Sequence, residues 1–284
     1  MLAIGETPML SNGVHILLLA VFPRITEALA QTRMECSRTK AEQEAFRRFI
    51  QRVASIEPAN PSPTSSISTD TSLLNNDSEI LSNGSVSTTS SVNVATSPLE
   101  SVRNAYAETV MAVDHYEQEY DESLRKNLAV ELGTDLAHAV TTNNILTPQV
   151  QAAILKKSRQ AREDRSNFLH RVQGEYNSLI DSRRQLRELS QTRDNIKENL
   201  YPRPIRELIQ SWNRLDALAD DSKKLLNDRQ SHIHAQLEGT LSEPFQCYLY
   251  DTYEWTYPVL NDGLELLTEI RASRHQALKS IYNW

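Results

Sequence analysis

One run, from Thr147-Pro148 to about Leu200, carries apolar side chains at heptad spacing and constrains the fold more than any other feature. Ile154, Ala161, Phe168, Leu189 and Ile196 fall on one heptad position, and Val172, Leu179, Leu186 and Leu200 fall on a second, four residues on. Such a period predicts one long helix with a single apolar stripe. At ~1.5 Å per residue it would extend roughly 75–80 Å, more than a compact domain is wide. Ser158, Arg165, Glu175, Ser182 and Arg193 interrupt the stripe. An interrupted seam suits an intramolecular helical hairpin better than a parallel zipper. Pro202 and Pro204 end the run, and Ile205, Leu208, Trp212, Leu215, Ala219, Leu226 and Ile233 mark a following helix. The short Pro-bearing connection predicts that the two are antiparallel neighbours.

The remaining segments are read in the same way. A helical pattern runs from about Arg24 to Ile56, with Ile25, Leu29, Met34, Phe46, Phe49, Ile50 and Val53 on its stripe. Its middle, Thr32 to Gln43, is polar almost all round, which suits an exposed helix. Val14–Phe22 is strongly apolar but far short of the ~20 residues a membrane span needs. No Lys or Arg precedes it, so it reads as a buried lead-in, with Pro23 in the first helical turn. Pro58 to Ser97 is rich in Ser, Thr, Asn and Pro and has no Lys, Arg or aromatic residue; it is expected to be a disordered linker. Ser97-Pro98-Leu99-Glu100 is a capping-box start, and the spacing predicts a helix from there to about Leu132, with Gly133 as its stop. A shorter helix is expected over Asp135 to Val140. The aromatic cluster Phe245, Tyr248, Tyr250, Tyr253, Trp255 and Tyr257 precedes Pro258, and a last helix is expected from Val259 to about Tyr282. The cluster reads as the buried end of a bundle, ahead of a partner or membrane patch. With only 7 Gly, tight hairpin turns are few, which argues against all-β and doubly wound designs. The expectation is an all-α chain: an N-terminal helical segment over 1–57, a disordered Ser/Thr-rich linker over 58–97, and a helical domain over 98–284. That domain is built on a long antiparallel hairpin or coiled-coil-like bundle.

Candidate chemistry is sparse. The formal charge of -7 disfavours nucleic acid, because neutralising phosphates needs a clustered basic surface. The cluster Lys156, Lys157, Arg159, Arg162 and Arg165 is interrupted by Glu163 and Asp164 and reads as a solvated mixed-charge face. A di-iron bundle needs paired Glu-x-x-His motifs. Here Asp135–His138 is one carboxylate–histidine pair at that spacing, and His115–Glu119 lies one turn apart in the acidic-aromatic run Asp114–Glu122. One pair does not close a coordination shell, so the run reads as a surface acidic patch. His232 and His234 point about 200° apart on a helix at ~100° per residue and cannot share an ion. There is no nucleophile elbow and no glycine-rich phosphate loop. Cys36 and Cys247 leave two alternatives, a single bridge or, as the reducing cytoplasm favours, two free thiols. No residue is therefore assigned a catalytic, cofactor-binding or metal-ligating role.

The segment Val102–Tyr120, with Leu146-Thr147-Pro148-Gln149, Tyr248-Leu249-Tyr250 and Thr256–Leu260, resembles a family of uncharacterised haloarchaeal proteins. That resemblance implies an all-helical cytoplasmic protein of a salt-loving archaeon, and it transfers no activity. The function expected is that of a non-enzymatic interaction or scaffold protein, accessory or regulatory, which meets a protein partner or a second copy of itself through helix faces. The alternatives are a DNA-associated transcriptional regulator, which predicts salt-sensitive duplex binding, and a peripheral membrane-associated protein, which predicts cosedimentation with liposomes.

Overall fold

A computed structural model describes residues 22–59, 97–200, 203–235 and 244–283. The described residues form nine helices and no strand: α1 Pro23–Ala54, α2 Pro98–Ala107, α3 Tyr116–Glu119, α4 Leu124–Leu132, α5 Thr134–Thr142, α6 Pro148–Glu198, α7 Ile205–Ala235, α8 Phe245–Leu249 and α9 Pro258–Tyr282. The chain is all-α. Residues 60–96, where most of the linker is expected, and residues 1–21 lie outside the described residues, although Phe22 is buried. Among the described residues, no helix is long and apolar enough to cross a membrane.

Local signals account for most helix starts. Pro23, Pro98, Pro148 and Pro258 each open a helix, at the position where a missing N–H costs nothing. Ser97 accepts from the Glu100 N–H and the Glu100 side chain returns to the Ser97 N–H, closing the capping box. One expected helix is shorter. The pattern running to Leu132 breaks after Ala107, where the Tyr106 carbonyl accepts from the N–H groups of Thr109, Val110 and Met111. Tyr106 is fully buried, with its ring edge-on to Phe49 at 5.1 Å and its hydroxyl donating to Asn127 Oδ1 at 2.6 Å. The β-branched Thr109, Val110 and Val113 add little helical preference to carry the helix on.

The described residues fall into two units. One comprises Lys40–Ser166. Its core gathers Phe46, Phe49 and Val53 of α1 with Leu99, Val102, Leu128, Val140, Leu146 and Ile154. Gln151 donates to the carbonyls of Val53 at 2.9 Å and Ile56 at 2.7 Å, satisfying carbonyls that a helix C-terminus leaves open.

The other unit comprises Met1–Thr39 and Asn167–Trp284, so far as these are described. Its α6 and α7 residues run antiparallel. Arg229 meets Ser178 at 2.7 Å, while Leu218, earlier in α7, lines a groove with Leu189, later in α6. Helices α7 and α9 pack closely, with Gly263 seated over Leu226. Asp262 of α9 accepts from the Ile25 N–H and from Arg24 at 3.0 Å each, serving as a tertiary cap for α1. Burial pushes the Asp262 carboxyl above its ordinary range, and the bonds to Ile25 and Arg24 only partly offset this. Phe245 and Tyr250 of the aromatic cluster are buried and Tyr248 is exposed, its ring edge-on to Phe168. Cys36 and Cys247 are not joined by a disulfide, and the Cys36 thiol donates to Gln173 Oε1 at 3.9 Å.

Candidate functional site

The residues that interrupt the heptad stripe are the centres of the buried polar chemistry. Arg165 and Glu175, at seam positions of α6, each face inward onto partners from distant segments.

In the unit of Lys40–Ser166, Arg165 clamps two carboxylates. Its Nη1 and Nη2 donate to Glu131 at 2.9 and 2.6 Å, and its Nε donates to Glu42 Oε2 at 3.0 Å. The guanidinium also lies 4.7 Å from the centroid of the Phe46 ring, within cation–π range. Burial opposes the Arg165 charge, but the paired carboxylates outweigh it and its pKa is raised. The other oxygen of Glu42, Oε1, accepts from His115 Nε2 at 3.0 Å and from the Tyr120 hydroxyl at 2.9 Å. Burial pushes the Tyr120 hydroxyl up, and the adjacent Glu42 carboxylate pushes it further. Glu119 joins this group: ligand atoms of Glu42, His115 and Glu119 all lie within 4.8 Å of one another.

Local structure explains how the chain presents these groups. Glu42 lies on α1 beyond a stretch that is polar in composition yet not exposed all round. Thr32, Cys36 and Thr39 are buried on one face. The Thr32 and Thr39 hydroxyls donate to the Ala28 and Glu35 carbonyls at 2.8 Å each, so they enter the interior already satisfied. His115 precedes the single turn α3, and Tyr120 follows it. Asp121 then takes φ 40°, the one positive φ at a non-glycine among the described residues. That αL turn carries the chain away from Tyr120, while Tyr116 donates to the Glu122 carbonyl at 3.1 Å. The run Asp114–Glu122 is therefore not a surface patch throughout. His115 and Tyr116 are buried, and the exposed acids lie around them.

The second cluster belongs to the other unit. Glu175 has no solvent exposure. Its Oε1 accepts from Arg229 Nη2 at 2.6 Å and Tyr250 at 3.1 Å, and Oε2 accepts from Gln246 at 3.3 Å. Burial raises the Tyr250 hydroxyl, and the Glu175 charge adds to it. Each carboxylate oxygen is matched by a donor, so this cluster is a closed fastener within a packed core.

The other sequence candidates stay apart. Asp135 and His138 are exposed, and Thr142 bonds to His138. His232 and His234 are exposed on α7. Lys156, Lys157, Arg159 and Arg162 are exposed beside Glu163 and Asp164, and Arg165 alone of that group turns inward. A groove of ≈ 470 Å³ is lined by Leu132, Gly133, Asp135, Leu136, Lys156 and Lys157, among others. Its lysines are solvated, and no buried titratable group converges on it.

The family model described as a domain of unknown function (DUF7260) matches residues 23–274. The chain belongs to this family. No curated protein and no solved structure matches it. The match begins at the first residue of α1 and ends within α9, so the family's domain takes in both polar clusters. Glu131, Arg229 and Gln246 are left out of the sequence reading, and so is Glu42. Its distance from His115 in the chain is 73 residues, and its only local signal is its place in the polar middle of α1.

Proposed function

We propose that this member of the DUF7260 family is a non-enzymatic interaction or scaffold protein, accessory or regulatory in role. It works in the cytoplasm of a salt-loving archaeon and engages a protein partner, or a second copy of itself, through the outer faces of its long helices. The observation that carries this reading is on α7. Ile205 and Ile209 are 38% and 45% exposed, and their four-residue spacing puts them on one face one turn apart. Paired large apolar side chains on a charged helix are the kind of anchor that protein interfaces bury. The archaeal origin and the cytoplasmic setting rest on the resemblance carried by Val102–Tyr120.

The test is affinity capture from native-salt lysate with mass spectrometry, comparing the full chain with the Ile205→Asp/Ile209→Asp double variant. A protein recovered by the wild type and lost from the folded double variant supports the proposal. Recovery of DNA or lipid in its place favours the regulator or the membrane-associated protein. Turnover of a metabolite by the pure chain would overturn the non-enzymatic reading.

A further inference from the structure

We infer that Glu42, His115 and Glu119 form a binding site for one divalent first-row cation such as Zn²⁺, with Arg165 and Glu131 as its positioning residues. This goes beyond the interaction role and does not depend on it.

The geometry argues from the inside outward. Glu42 Oε1 and His115 Nε2 are 3.0 Å apart. Zinc binds nitrogen and oxygen donors at about 2.1 Å, and two such bonds at the tetrahedral angle place their donor atoms about 3.4 Å apart. An ion that replaces the proton between Oε1 and Nε2 sits beside the line joining them, so the pair opens by about 0.4 Å and the imidazole tilts toward the ion. The third donor comes from Glu119, whose carboxylate lies within 4.8 Å of the others and whose residue is exposed. Ligands of a tetrahedral zinc are spaced by about 3.4 Å, so a rotamer change at the exposed glutamate closes the set. Water completes the shell.

The surroundings are built as a metal's outer shell is built. Glu42 binds through one oxygen only, because Arg165 holds the other at 3.0 Å. Arg165 is itself oriented by its two bonds to Glu131. Such chains of charge-assisted bonds fix a ligand's direction and are needed for affinity. Charge agrees with the cation class. Glu42, Glu119 and Glu131 carry three negative charges against one from Arg165, leaving a deficit that a dication fills. The mixed imidazole and carboxylate donors favour zinc or manganese over calcium, which takes oxygen alone. The cation would tie α1 to the segment around α3, two parts of the unit that are distant in sequence.

The experiment uses the full chain, stripped with a chelator and dialysed, then titrated with Zn²⁺ alone. Bound metal is counted after gel filtration, and thermal unfolding is followed by circular dichroism. The expected result is one Zn²⁺ per chain and a Tm higher by about 5 °C at saturating metal. Glu119→Gln, at an exposed position, leaves the fold intact and weakens binding at least about tenfold; Glu131→Gln, which touches no metal, weakens binding likewise while lowering the metal-free Tm, because it loosens the pair with Arg165. His115→Gln abolishes binding. Failure of the wild type to retain Zn²⁺, or retention with unchanged affinity in both Glu119→Gln and His115→Gln, overturns the assignment.

Discussion

Glu175 is a charge with no contact with solvent, and its stability depends on three donors being present together. Burying an ion costs several kcal/mol, and pairing returns that cost only when the geometry is good. Removing one partner strands the other. Glu175→Ala is expected to destabilise the fold by about 3–5 kcal/mol, measured by urea unfolding, because Arg229 is left buried and unpaired. The paired change Glu175→Leu with Arg229→Met removes both charges and should recover most of that loss, the remaining deficit of about 1–3 kcal/mol coming from the buried Tyr250 hydroxyl that loses this acceptor. A double variant as unstable as the single one would mean that the packing, and not the charge, sets the cost. Arg229 Nε and Ser222 Oγ, both buried, have no hydrogen-bond partner among the described residues, which makes the apolar replacement easier still.

Helices differ in what they tolerate, and two glycines show the contrast. Gly174 of α6 has nothing within 4 Å of the place a Cβ would occupy. Gly174→Ala should therefore raise stability by about 0.5–1 kcal/mol through backbone entropy alone. Gly263 of α9 is different, because its added Cβ would come 2.6 Å from Leu226 Cδ2 on α7. The same helical gain is set against overpacking of about 1–3 kcal/mol, and Gly263→Ala is expected to lower Tm. In a Leu226→Ala background the collision is gone, and the sign should reverse. A Gly263→Ala change that stabilises in both backgrounds would show that α7 and α9 are not closely packed there. The expected helix over 97–132 teaches a related point. Apolar spacing continues past Ala107 with no glycine or proline to stop it, yet the helix ends because buried Tyr106 fixes the chain where its carbonyl gathers three N–H groups. Helix starts were legible because caps are local; this stop is tertiary.

Across the molecule, α1 supplies both cores. Ile25, Ala28 and Leu29 are buried in one unit, and Phe46, Phe49 and Val53 in the other. These residues are thus covered within the same chain, whereas Met34 of the same helix is 42% exposed. At about 1.5–3 kcal/mol for each large side chain, the loss of Ile25, Leu29, Phe46, Phe49 and Val53 amounts to roughly 10 kcal/mol, comparable to a whole domain's stability. A fragment starting at Ser97 should lack a cooperative thermal transition by circular dichroism. Adding a peptide of residues 22–59 should restore it. A fragment that melts cooperatively alone would show that α1 is an accessory to both cores.

What the sequence determined is the set of quantities that neighbouring residues decide among themselves. The all-α class, the position of α6, the proline starts and the antiparallel return of α7 follow from periodicity, caps and a short connection. These depend on interactions within a turn or two of helix. The polar interior required the tertiary structure. Arg165 and Glu175 read as flaws in a seam because hydrophobic periodicity registers a residue's type and not its partner. Glu131 lies 34 residues before Arg165, and Tyr250 lies 75 residues after Glu175. Whether such a charge is a defect or a fastener is decided by donors brought from elsewhere in the fold. The same reason separates the His115–Glu119 pair, visible as one turn of sequence, from the three-residue group that Glu42 completes.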